Sequence, residues 1–203
     1  MVAAGVLGLV CFAAGALTAR VPAVDTDVED AVGELVGRRR AVLAGSVASI
    51  TGAALLLWPL AAVATEPSTD VWPSLAVFSM ATWVFGFGFL ALGSLLVIGV
   101  VWRGAQRPSP ATARVLLDTS HLAVWSVSAP IGAVSVAATT AVGLQADIFG
   151  PWVLVAAAAK VLTVLVEVAG TGRISGWNAG GWAFGISGYA TVAWFALILI
   201  ALA

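Results

Sequence analysis

The sequence predicts an all-α, polytopic bundle of about six transmembrane helices, on three observations. Of 203 residues, 61% are hydrophobic and only 9% charged, where water-soluble domains carry roughly 25% charged residues. The mean hydropathy is +1.07, and the apolar residues fall into six runs of the ~20 residues that a hydrocarbon core requires. When six spans are drawn, every arginine falls into alternate loops.

The spans are expected at about 2–19, 41–63, 74–102, 115–142, 152–169 and 182–203, in a single transmembrane domain. Pro67 and Pro73, Pro108 and Pro110, Pro151, and the glycine-rich stretch 170–181 punctuate them, proline being well tolerated in a helix's first turn. A cleaved leader is not expected at the first span, because nothing basic precedes Arg20 and leaders carry a positive n-region. Residues 25–40 read as a short amphipathic helix along the inner membrane surface. Thr26 and Glu29 form its capping box, Val28, Val32, Leu35 and Val36 its apolar face.

Orientation follows from the distribution of basic residues. Arg20, Arg38, Arg39 and Arg40 lie in the first loop, Arg103, Arg107 and Arg114 in the third, and Arg173 in the fifth. Both chain ends are therefore expected on the outer face, with Arg38, Arg39, Arg40, Arg103, Arg107 and Arg114 as the main topology determinants. Trp58, Trp72, Trp102, Trp152, Trp177 and Trp182 fall near span ends, where indole rings prefer the headgroup region. Trp83, Trp125 and Trp194 lie deeper and are expected between helices.

Several function classes are excluded by composition. The net charge is -1, without the basic footprint that nucleic-acid binding needs. One cysteine, Cys11, and one histidine, His121, cannot build a zinc or bis-histidine haem site within one chain. No metal and no cofactor is expected. The partners expected are the lipid bilayer and either a second copy of this chain or a membrane-complex subunit. The abundance of Ala, Val, Gly and Arg points to a bacterial plasma membrane.

Ionisable side chains inside a span are costly and mark functional sites by default. Asp118 and His121 in the fourth span and Lys160 and Glu167 in the fifth are such residues. Asp118, His121, Trp125 and Ser128 step along one helical face, as do Lys160, Thr163 and Glu167. Two consecutive antiparallel spans with facing polar stripes predict one buried network of Asp118, His121, Lys160, Glu167, Ser128 and Thr163. Pro130 removes the hydrogen bond to the Ser126 carbonyl and predicts a kink in the fourth span, which its polarity places centrally.

Small residues let helices approach closely. Gly86, Gly88, Gly93 and Gly99 in the third span and Gly181, Gly185 and Gly188 in the sixth predict tight packing there. Gly185-Ile186-Ser187-Gly188 resembles the nucleophile motif of rhomboid intramembrane proteases, which implies Ser187 as nucleophile beside His121. The resemblance covers four residues. In that family the serine helix precedes the histidine helix, the reverse of the order here, and a second histidine is present, so packing is the expected role of the motif.

The functional expectation is a small ion- or proton-linked transport protein using the polar stripe of the fourth and fifth spans. The alternatives are a non-catalytic membrane subunit or scaffold, and an intramembrane enzyme acting on a lipid-soluble substrate.

Overall fold

The computed structural model describes residues 1–23, 25–65, 73–102, 108–168 and 186–203 in full, and the helical backbone of 169–170 and 182–185. The structure is all-helical, with no strand among the described residues. In chain order the elements are α1 (Val2–Thr18), α2 (Val28–Gly37), α3 (Arg39–Ala64), α4 (Pro73–Val101), α5 (Pro110–His121), a π-helical segment (Leu122–Ser128), α6 (Ala129–Gln145), α7 (Pro151–Gly170) and α8 (Trp182–Ala201).

Four helical stretches are long and apolar enough to cross a membrane: Arg39–Ala64, Pro73–Val101, the continuous Pro110–Gln145, and Pro151–Val168. Val2–Thr18 and Ile186–Ala201 are apolar but shorter. The outer surface agrees with a lipid solvent. Val77, Phe85, Leu95, Leu162, Leu165 and Ile200 all face outward, where water would strongly disfavour so much contiguous apolar area.

The helix ends follow local chemistry. The Asp27 carboxylate accepts from the Glu29 and Asp30 amides at 2.8 and 3.4 Å. Asp27 therefore caps α2, one residue after the expected cap, Thr26. The Ser109 hydroxyl accepts from the Thr112 amide at 3.2 Å, with Pro110 opening α5. Asp147, at φ 56°, ends α6, and the Ile148 and Phe149 amides bond back to the Gly143 carbonyl at 2.8 and 3.2 Å.

The Pro130 effect takes a different form from a simple kink. Without a proline N–H, the preceding turns widen into the π segment Leu122–Ser128. The long helix it interrupts is central, as its polarity predicted. α6 packs against α3, α4 and α7, and half of the Pro110–Gln145 window is buried. At the core, Trp83 and Trp194 stack at 5.6 Å, with Phe87 and Phe195 around them. Their indole N–H groups donate to Thr139 and Thr140 hydroxyls at 2.8 and 3.0 Å, so both rings are buried with their polar ends satisfied.

The amphipathic helix α2 differs from expectation. Ala31, Val32 and Leu35 are buried against Val97, Val100, Val101, Ala113 and Leu117 rather than lying open to a bilayer surface. Protein neighbours supplied by the ends of α4 and α5 cover the apolar stripe, which removes its need for lipid. Arginines pin the same end. Arg38 donates to the Thr18 carbonyl at 3.0 Å, and Arg39 to the Val101 and Trp102 carbonyls at 3.0 and 2.7 Å. Both thereby satisfy exposed helix C-termini.

Glycine packing also departs from expectation. The closest backbone approach is between α1 and α3. A methyl on Gly8 would lie 2.9 Å from Leu55 Cβ and 3.1 Å from the Gly52 carbonyl oxygen. One on Gly15 would lie 2.6 Å from the Gly45 carbonyl oxygen. Gly93 does face a neighbour, α5, but Gly88 and Gly188 face open space. Gly188 thus makes no close contact with the described residues. Gly185 is described by its backbone alone, and Gly181, Arg103 and Arg107 lie outside the described residues.

Candidate functional site

α7 and α8 pack against each other. Lys160 and Glu167 lie seven residues apart on α7, a rise of about 10 Å on the face that turns to α8. Ser187, one turn into the described part of α8, lies between them. The Lys160 ammonium donates to Ser187 Oγ at 2.6 Å and to the Ser187 carbonyl at 3.2 Å. The Ser187 amide donates to Glu167 Oε1 at 3.3 Å. Lys160 and Glu167 are each 3% exposed and Ser187 is 1% exposed.

A serine hydroxyl has one proton to give and two lone pairs to offer. Ser187 uses its acceptor capacity on the amine, while its backbone amide holds the carboxylate. One residue of α8 thereby links the two buried ionisable groups of α7. Adjacent hydroxyls flank this link without joining it. Thr163 donates to the Lys160 carbonyl at 2.8 Å and Thr191 to the Ser187 carbonyl at 2.9 Å, both bonds within their own helices.

The other residues of the expected network lie elsewhere. His121, 5% exposed, lies beside Pro22 of the connector between α1 and α2. Asp118, one turn back on α5, lies 3.9 Å from Arg114, and both are nearly half exposed. A cavity of about 10 Å³ opens beside them, bounded by Pro22, Thr26, Ala31, Arg114, Asp118 and His121. Ser128 donates to the Gly86 carbonyl of α4 at 2.8 Å. The stripe of the fourth and fifth spans thus divides. Lys160 and Glu167 turn to α8, Asp118 and His121 to the α2 end, and Ser128 to α4. The physical reason is that α7's backbone neighbours are α6 and α8, while α5 packs on α4 and α2.

Ser187 is the member that sequence reasoning placed among packing residues. Its signal was available: a buried amine and carboxylate two turns apart need polar partners, and the next helix in the hairpin carries few besides Ser187. The four-residue rhomboid resemblance implied His121 beside Ser187, and the structure puts Lys160 there instead.

An open groove of about 540 Å³ is bounded by Leu55, Trp58, Ala62, Thr65 and Met80 of α3 and α4, with no ionisable side chain in its lining. Among the described residues, no group of three or more His, Cys, Asp or Glu could hold a metal ion. The class these features define, among the described residues, is an all-helical chain with four helices long and apolar enough to cross a membrane and a buried Lys160–Ser187–Glu167 cluster. No known protein-family model, curated protein or solved structure matches it.

Proposed function

We propose that this chain is a six-span bacterial plasma-membrane protein with both ends on the outer face, and that it couples transport to proton or ion movement through Lys160, Ser187 and Glu167. The orientation is supported by Arg38 and Arg39, which gather at one end of the bundle with α2 and the start of α5. The observation that carries the functional reading is a buried amine and a buried carboxylate both bonded to Ser187, the amine to its hydroxyl and the carboxylate to its amide. Rotation of the hydroxyl toward Glu167 would let one proton pass through it, interconverting the ion pair and the neutral pair. A buried ion pair is weak evidence for a purely stabilising role, since apolar side chains of similar volume often stabilise as well or better.

The test is proton flux into liposomes carrying the purified protein and an internal pH dye, under an imposed gradient. The wild type should exceed empty liposomes. The double variant Lys160→Met/Glu167→Gln should fold and fall to the empty-liposome rate. Equal flux from wild type and double variant would overturn the reading in favour of an interhelical clamp.

A second reading rests on the 2.6 Å contact between Lys160 Nζ and Ser187 Oγ. A lysine so placed can serve as the base for a serine nucleophile, acting on a lipid-soluble acyl substrate. Against it, the hydroxyl is buried and the Ser187 amide is already committed to Glu167. Labelling by an apolar fluorophosphonate, abolished in Ser187→Ala, would select this reading over the first.

A further inference from the structure

The open groove of about 540 Å³ along α3 takes no part in the Lys160 site. Its α3 residues Ala54, Trp58, Ala61, Ala62 and Thr65 recur at helical spacing, so they form one face. Thr65 lies eleven residues beyond Ala54, an axial length of about 16 Å. The groove starts just past the middle of α3 (Arg39–Ala64) and runs to its end. α3 is long and apolar enough to cross a membrane, and a hydrocarbon core is about 30 Å thick. The groove therefore covers the depth of one leaflet.

Its lining suits a neutral chain. No residue there is ionisable, and the alanines leave width beside Leu55, Trp58 and Met80. The Thr65 hydroxyl is spent within α3, donating to the Ala61 carbonyl at 2.8 Å. The Trp58 indole N–H is not spent: the residue is 65% exposed, and no described residue accepts from it. α3 has 26 residues and is about 39 Å long, so a centred helix overhangs the hydrocarbon by roughly 4–5 Å at each end. Trp58 lies six residues before the Ala64 end, a rise of about 9 Å. Its indole thus sits roughly 4–5 Å inside the hydrocarbon boundary, near the level of lipid ester carbonyls.

We propose that this groove holds one acyl chain of a bilayer glycerophospholipid, with the Trp58 indole donating to that chain's ester carbonyl. The dimensions select the occupant. A volume of about 540 Å³ over about 16 Å is roughly 6 Å across, too narrow for a second copy's helix at 10–12 Å and wide enough for one polymethylene chain. An ionised ligand would lose its hydration without finding a countercharge. Met80 supplies an adaptable thioether wall for a chain that has no fixed shape. Every lipid-facing surface meets acyl chains. This one differs by carrying a free donor at ester depth with a trough of one chain's length below it, and a donor in hydrocarbon has no water to satisfy it.

The test uses the full chain in vesicles of dioleoylphosphatidylcholine, with a trace of that lipid carrying a diazirine on one acyl chain. After irradiation, labelled residues are mapped by peptide mass spectrometry. A diazirine next to the ester should label α3 around Trp58, and one at the chain end should label around Ala54 and Leu55. Groove labelling should exceed that of Leu162, a lipid-facing residue of α7, by about fivefold, the worth of one retained hydrogen bond. Trp58→Phe keeps an aromatic ring and loses the donor, and should lower ester-proximal labelling to the Leu162 level. Ala61→Leu narrows the trough and should lower labelling along its whole length.

The proposal is overturned by groove labelling no stronger than at Leu162, or by labelling that does not move along α3 with the position of the diazirine. It is also overturned by unchanged labelling in Trp58→Phe or, should that variant not fold, in Ala61→Leu. Groove labelling that disappears as the protein-to-lipid ratio is raised overturns it in favour of a second copy of the chain. Lys160→Met/Glu167→Gln should label as the wild type does, so failure of the transport reading and failure of the lipid site are separate results.

Discussion

The α7–α8 site and the α2 end of the bundle contain the same kinds of side chain and use them differently. At α7–α8 an amine and a carboxylate are withdrawn from solvent and share one residue, Ser187. At the α2 end, Arg114 and Asp118 are nearly half exposed at 3.9 Å, and only the imidazole is buried. Exposed ion pairs contribute little because water screens both charges. Buried ones are strongly coupled, so removing one member leaves an unbalanced charge behind. The contrast ranks the two regions by consequence, and mutation can break or sharpen that ranking.

The largest effect is expected at Lys160. Lys160→Met removes the cation balancing Ser187 and Glu167 and should destabilise the detergent-solubilised protein by about 3–5 kcal/mol. Adding Glu167→Gln should recover much of that loss, which thermal unfolding of both variants would check. A single variant as stable as wild type would mean the pair is neutral or solvated, and the contrast would collapse.

Next comes Leu35→Ala, at the fully buried centre of the α2 face. It should cost about 2–5 kcal/mol as a core truncation. If α2 instead rested on lipid headgroups, the change would be nearly silent in detergent and visible as weaker vesicle association.

Thr139→Val should follow, at about 1–3 kcal/mol. It removes the shared acceptor of the Trp83 indole and the partner of the Ser79 hydroxyl, which lies 2.6 Å away. A blue-shifted tryptophan emission band would report it alongside stability. The smallest effect is expected for Asp118→Asn, within about 0–1 kcal/mol as a solvent-screened pair. A loss as large as at Lys160 would show that Asp118 is coupled to buried groups, and would erase the distinction between the two regions.

Much of the architecture was legible because it depends on local chemistry. The apolar runs, the prolines at helix starts and the buried Trp83 and Trp194 all follow from residues read a few at a time. Lys160 and Glu167 stood out for the same reason, since ionisable residues in apolar runs need no partner to be noticed. What they bond to was not legible. Helical periodicity gives the face a side chain occupies, and says nothing about which neighbour that face meets. Hence the expected network of Asp118, His121, Lys160 and Glu167 separated, and Ser187 joined from a motif read as packing. The Gly8, Gly15, Gly45 and Gly52 contacts between α1 and α3 were missed for the same reason, since small residues permit close approach by any neighbour without choosing one.

The sequence by itself determined that the chain is helical, that its helices are apolar enough to enter lipid, and which titratable groups they carry inward, because hydrophobicity, helix capping and proline act over a turn or two of chain. The tertiary structure alone decided that α2 docks on protein, that Pro130 resolves into a π segment, and that Lys160 meets Ser187 while His121 meets Pro22. Those pairings depend on which helices become neighbours, and lateral packing selects neighbours by the combined fit of surfaces far apart in the chain.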